Sequence, residues 1–69
     1  MKDFYINIFY SQDDEGYIAD IPDLANCSAF GETPEKALKE VLIAKILWLQ
    51  VAEDNGIDIP GPNYYSKDN

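Results

Sequence analysis

Carboxylates are the most numerous reactive groups in this chain, and two arrangements of them have the composition of a chemical site. Asp13-Asp14-Glu15 is a run of hard-oxygen ligands of the kind that calcium and magnesium take. It lacks the alternating ligand spacing and the downstream glutamate of a calcium loop, and a solvated hairpin tip accounts for it. Asp20 and Asp23 flank Ile21-Pro22, and with Glu15 and Asp3 they have the residue types of a two-metal nuclease. That chemistry needs side chains converging on one face, with metals about 3.5–4 Å apart. Turn chemistry explains Asp23, since aspartate caps the backbone after a proline, and Asp20 falls within a strand.

Nucleophiles fare no better. The chain has one cysteine, Cys27, and no histidine to act as its base, so a small buried side chain is the expected role. The serines lack the same partner, which removes a Ser-His-Asp arrangement. Lys45 interrupts an apolar helical stripe, where its stem packs while the ammonium reaches water or a carboxylate. No catalytic residue, metal or cofactor is expected, and the chain reads as a non-enzyme.

Sixty-nine residues make one domain. A chain of this size is marginal alone, and small domains gain help from disulfides, metals or a partner subunit. The single cysteine excludes an internal disulfide, which leaves oligomerisation. An apolar fraction of 46% marks a folded chain. The start, MKDFYINIFYSQDDEG, has no signal-peptide pattern, and no apolar run approaches the ~20 residues that cross a bilayer. A cytoplasmic protein follows. The net charge of −8 argues against direct nucleic-acid binding, which needs a concentrated basic surface, and suits a basic protein partner.

The elements that position these groups are legible from spacing. Residues 3–10 alternate as a strand, with Phe4, Ile6, Ile8 and Tyr10 expected to face the core. Ser11 to Gly16 is a hairpin connection in which Gly16 is the residue free to take positive φ. Tyr17 to Ile21 returns, Ile21-Pro22-Asp23-Leu24 turns, and Asn26 to Gly31 forms a third strand. Thr33, Pro34 and Glu35 signal a helix start, and Asn55-Gly56 a stop, so a helix is expected over residues 34–54. The fold class is α+β: an antiparallel three-stranded meander, with a fourth strand left open, and one long helix on one face. Residues 1–60 form the domain and residues 61–69 an irregular tail.

The helix carries more apolar residues than one sheet can cover. Ala37, Leu38 and Val41, continued by Ala44, Trp48 and Ala52, make a core-facing stripe. Ile43, Ile46 and Leu47 point largely away from it. At 1.5 Å per residue the helix spans roughly 31 Å, longer than strands of five to eight residues. A homodimer or larger assembly, with Ile43, Ile46 and Leu47 at its interface, is therefore expected.

The stretch Gly16-Tyr17-Ile18-Ala19-Asp20-Ile21-Pro22-Asp23-Leu24, then Cys27, then Gly31-Glu32-Thr33-Pro34-Glu35-Lys36-Ala37-Leu38 resembles the HicB-type antitoxin domain. The resemblance covers about residues 3–60. It implies a partial ribonuclease H-like fold, usually dimeric or tetrameric, without that fold's full catalytic carboxylates. It also implies a role: binding and neutralising a small basic HicA-type mRNA-cleaving toxin. The alternative is an orphan HicB-like structural or regulatory domain with no toxin partner. Ala25-Asn26 stands where the family often has Pro-Gly. The sequence ends at Asn69 without the helix-turn-helix or ribbon-helix-helix module that binds an operator, so autorepression is not expected.

Overall fold

Each element forms where adjacent residues dictate it, and the elements follow one another in the order β-β-β-α. The computed structural model describes residues 4–59. Its strands are β1 (Asn7–Ser11), β2 (Gly16–Asp20) and β3 (Ser28–Gly31), followed by the helix α1 (Pro34–Asp54). The strands make one antiparallel sheet in the order β1-β2-β3, so the described residues form the α+β meander followed by one helix. Residues 61–69, considered for a tail or fourth strand, lie outside the described residues.

Register assigns the two faces of the sheet. Ile8 is opposite Ala19 and Ala19 opposite Ala29, while Tyr10 is opposite Tyr17 and Tyr17 opposite Gly31. These rows face α1, because Ala19 shares the buried cluster with Ala37 and Val41. β1 starts at Asn7, later than residue 3, with Phe4 and Ile6 packed on the core ahead of it. Ile8 and Tyr10 lie on the expected face but stay exposed, because β1 is the edge strand farthest from β3, over which the helix sits. Tyr10 packs instead on Tyr17, edge to face, with ring centroids 5.3 Å apart.

The hairpin corrects one expectation about glycine. The positive φ falls on Glu15, at 55°, and not on Gly16. Gln12 to Glu15 is a four-residue loop closed by Glu15 N–H donating to Gln12 C=O, and its last residue must turn left-handed to re-enter the strand. Gly16 has a different reason to be glycine. Any Cβ there would run into the Phe30 ring, which lies over it on the open face of the sheet.

Two consecutive turns join β2 to β3. Leu24 N–H donates to Ile21 C=O and Cys27 N–H to Leu24 C=O, both at 3.0 Å. Asn26 takes φ of 62°, the left-handed position that the second turn requires and that asparagine tolerates. The helix then begins on Thr33, whose hydroxyl accepts from Lys36 N–H at 3.1 Å. It ends with Gly56 at φ 67°, where Ile57 N–H donates to Ala52 C=O at 2.8 Å and Gly56 N–H to Glu53 C=O. That pair of bonds is a Schellman cap.

The core is small. Ala19, Ile21, Leu24, Cys27, Ala37 and Val41 form the buried cluster, and among the described residues only Ile21, Leu24 and Val41 are large side chains fully enclosed. Leu38, expected in the buried stripe, is exposed. At 100° per residue it sits a quarter-turn around from Ala37, beyond the reach of a sheet this narrow.

Candidate functional site

The carboxylates singled out from sequence do not converge. Asp13, Asp14 and Glu15 are exposed at the hairpin. Ser11 hydroxyl donates to the Asp14 carboxylate at 2.9 Å, and Asp14 N–H donates back to that hydroxyl at 3.4 Å, so Asp14 serves the loop itself. Asp20 lies at the far end of β2 from that hairpin, and Asp23 lies inside the turn that follows. Among the described residues, no three of His, Cys, Asp and Glu are grouped to hold a metal ion. Asp3, the fourth carboxylate of the nuclease reading, is outside the described residues.

Cys27 is buried, and burial pushes its thiol above the ordinary 9.0 while the Lys45 ammonium pulls it the other way. Desolvation is the larger influence, so the thiolate is disfavoured. Lys45 itself is half-buried, in keeping with a packed stem.

What the fold builds is apolar surface on a rigid frame. Between the second half of α1 and the start of β3 lies a groove of about 410 Å³, lined by Cys27, Ser28, Leu47, Trp48, Val51 and Ile57 among others. One wall is fixed by Trp48, whose indole N–H donates to Ala25 C=O at 2.9 Å and ties the helix to the turn before β3. On the side of α1 turned from the sheet, Ile43, Ile46 and Leu47 are 47%, 61% and 57% exposed. The three residues expected at an interface thus share one outward region of the helix.

A second apolar surface was not singled out from sequence. Phe9, Ile18 and Phe30 are directly opposite one another across β1, β2 and β3, on the sheet face away from α1. Phe9 and Phe30 are exposed and Ile18 is half-buried. Each strand alone shows apolar residues out of phase with its core-facing set, which is the available signal. That these three align in one row follows only from the register. The row is bracketed along β2 by the acidic hairpin at one end and Asp20 at the other. Such an arrangement suits an apolar contact with a charged rim, and it offers no group for covalent chemistry.

The chain is 39% identical over 56 residues to UPF0150 protein ssl0259 of Synechocystis sp., a match that takes in 81% of this chain and 77% of that protein. No family model and no solved structure matches the chain.

Proposed function

The chain belongs to the UPF0150 family, and we propose that it is a HicB-like antitoxin that binds and neutralises a small basic mRNA-cleaving toxin of the HicA type. The observation that carries this reading is the Phe9–Ile18–Phe30 row between acidic ends. Exposed aromatics supply contact area at the centre of an interface, and carboxylates at its rim attract and orient a basic partner. The net charge of −8 extends that attraction over the whole molecule. The resemblance of Gly16–Leu38 to the HicB domain supplies the identity of the partner. In this reading the protein is no enzyme, and it acts in the cytoplasm by covering the toxin's surface.

On this reading a small basic reading frame adjoins the gene, and co-expression with its product tests the proposal. The expected result is a complex that survives moderate salt, relief of the toxin's growth arrest, and loss of both on Phe9→Asp. A toxin that stays active in the presence of the wild-type chain would remove the antitoxin reading and leave the fold untouched.

A further inference from the structure

Among the residues of β1, β2 and β3 on the open face of the sheet, Asp20 alone is charged. It follows Ile18 by two residues on β2, so both stand on the face turned from α1. Its cross-strand neighbours are Asn7 and Ser28, a polar row beside the Phe9–Ile18–Phe30 row. Phe9, Ile18, Asp20 and Ser28 line a pocket of about 400 Å³ at this end of the sheet. Leu24 lines it too and is fully enclosed, so its inner end is set by the core. Asp20 is half-buried, and among the described residues its carboxylate has no hydrogen-bond or ion-pair partner.

We infer that this pocket takes an arginine side chain of the basic partner, its methylenes against the apolar walls and its guanidinium on Asp20. The inference rests on the reading of the open face as the toxin-binding surface, and it names the kind of side chain that anchors there. A carboxylate drawn partly out of water without a counter-charge is costly, and a cation brought by a partner removes that cost. A metal ion does not suit the site, because hard cations gather several oxygens and the pocket holds a single carboxylate. Apolar walls that end at one anion match a side chain with a hydrocarbon stem and a charged tip.

Three features select guanidinium over ammonium. The planar cation stacks on an aromatic ring, and the Phe9 ring is exposed at the pocket. It also meets a carboxylate through two parallel N–H donors and is less strongly hydrated than an ammonium. Its remaining donors need acceptors, and Ser28 and Asn26 line the same pocket with a hydroxyl and an amide oxygen.

Heteronuclear NMR on the full-length chain, titrated with acetyl-arginine methylamide, tests the pocket without the toxin. Saturable shifts are expected at Phe9, Ile18, Asp20 and Ser28, with a Kd on the order of 1–10 mM. The matching citrulline compound, of the same shape but uncharged, should cause none, and the lysine compound should bind roughly threefold more weakly. Asp20→Asn should weaken arginine binding roughly tenfold. Should that variant fail to fold, the comparison of arginine with citrulline on the wild-type chain decides. Equal responses to arginine and citrulline, or shifts shared with the acidic hairpin, overturn the pocket. Lysine binding as tightly as arginine overturns the choice of guanidinium. In the co-expressed complex, Asp20→Asn should weaken toxin binding by a similar factor. A complex equally tight in both forms overturns the assignment of this pocket to the toxin and leaves the antitoxin reading standing. A toxin that the wild-type chain does not bind, alongside a normal arginine titration, removes the antitoxin reading instead.

Discussion

The two sides of α1 differ most in the first half of the helix. There it presents Ala37, Val41 and Ala44 toward the sheet and Leu42, Ile43 and Ile46 toward solvent, while farther along Trp48 and Leu49 pack on the core and Leu47 is exposed. Small residues on the inner side let the helix approach the sheet closely. Gly31 shows how closely, since a Cβ there would stand 2.7 Å from Ala37 Cα and nearer still to its backbone nitrogen. Close approach gives dense packing but little area for the hydrophobic effect, which scales with apolar surface removed from water. Large apolar side chains are thus left exposed on the outer side of the helix.

Substitutions on the inner side break this contrast most severely. Gly31→Ala places a methyl against helix backbone, which cannot swing aside, and is expected to cost about 3 kcal/mol or more by urea unfolding. A loss under 1 kcal/mol would show that the helix can ride up off the sheet. Val41→Ala, at a fully buried position, should cost about 2 kcal/mol. Leu47→Ala, measured where the chain is monomeric, should stay within about 0.5 kcal/mol. Equal costs at the two sites would erase the distinction between the sides.

Gly16→Ala sharpens the comparison between the two close-approach glycines. Its obstacle is the Phe30 ring, a movable side chain, with the Gly31 carbonyl oxygen 3.0 Å away. The expected cost is about 1 kcal/mol, and Phe30→Leu should relieve it in a double-mutant cycle.

The smallest effect concerns Cys27, at the junction of the turn and β3. Its folded-state value is raised above 9.0 by burial. The folded chain therefore holds the thiol proton where the unfolded chain begins to lose it. Stability from this group is full below the unfolded value and falls as pH rises through the folded one. Chemical unfolding followed from pH 8 upward should show a decline above about pH 9 that is absent in Cys27→Ala. A decline of equal size in both proteins would assign it to other groups.

Much of the fold was readable because its determinants are local. The helix from Pro34 to Asp54 runs between a threonine cap and an Asn-Gly stop, each acting on backbone groups within a few residues. The turn at Ile21-Pro22-Asp23-Leu24 likewise follows from Pro22, whereas Asn26, expected to open the third strand, lies in a second turn at φ 62° and β3 starts at Ser28. Misplaced details share one cause. Positive φ was expected at Gly16 because glycine permits it, whereas loop length puts it on Glu15. Leu38 was placed in the core by periodicity, and the narrow sheet leaves it exposed.

The candidate surfaces divide the same way. Helical spacing alone put Ile43, Ile46 and Leu47 on the outward side, because 100° per residue needs no partner to define it. The Phe9–Ile18–Phe30 row needed the pairing of three strands, since a shift of one residue in any of them would send its side chains to the other face. By itself the sequence determined the order of the elements, the ends of the helix, the proline turn after β2 and the excess of apolar residues on α1. Tertiary structure decided why Gly16 and Gly31 are glycine, which aromatics share a face, and how little of the helix the sheet covers. The reason is distance along the chain: caps and turns are contacts within a few residues, while register and the approach of helix to sheet join residues that the sequence keeps apart.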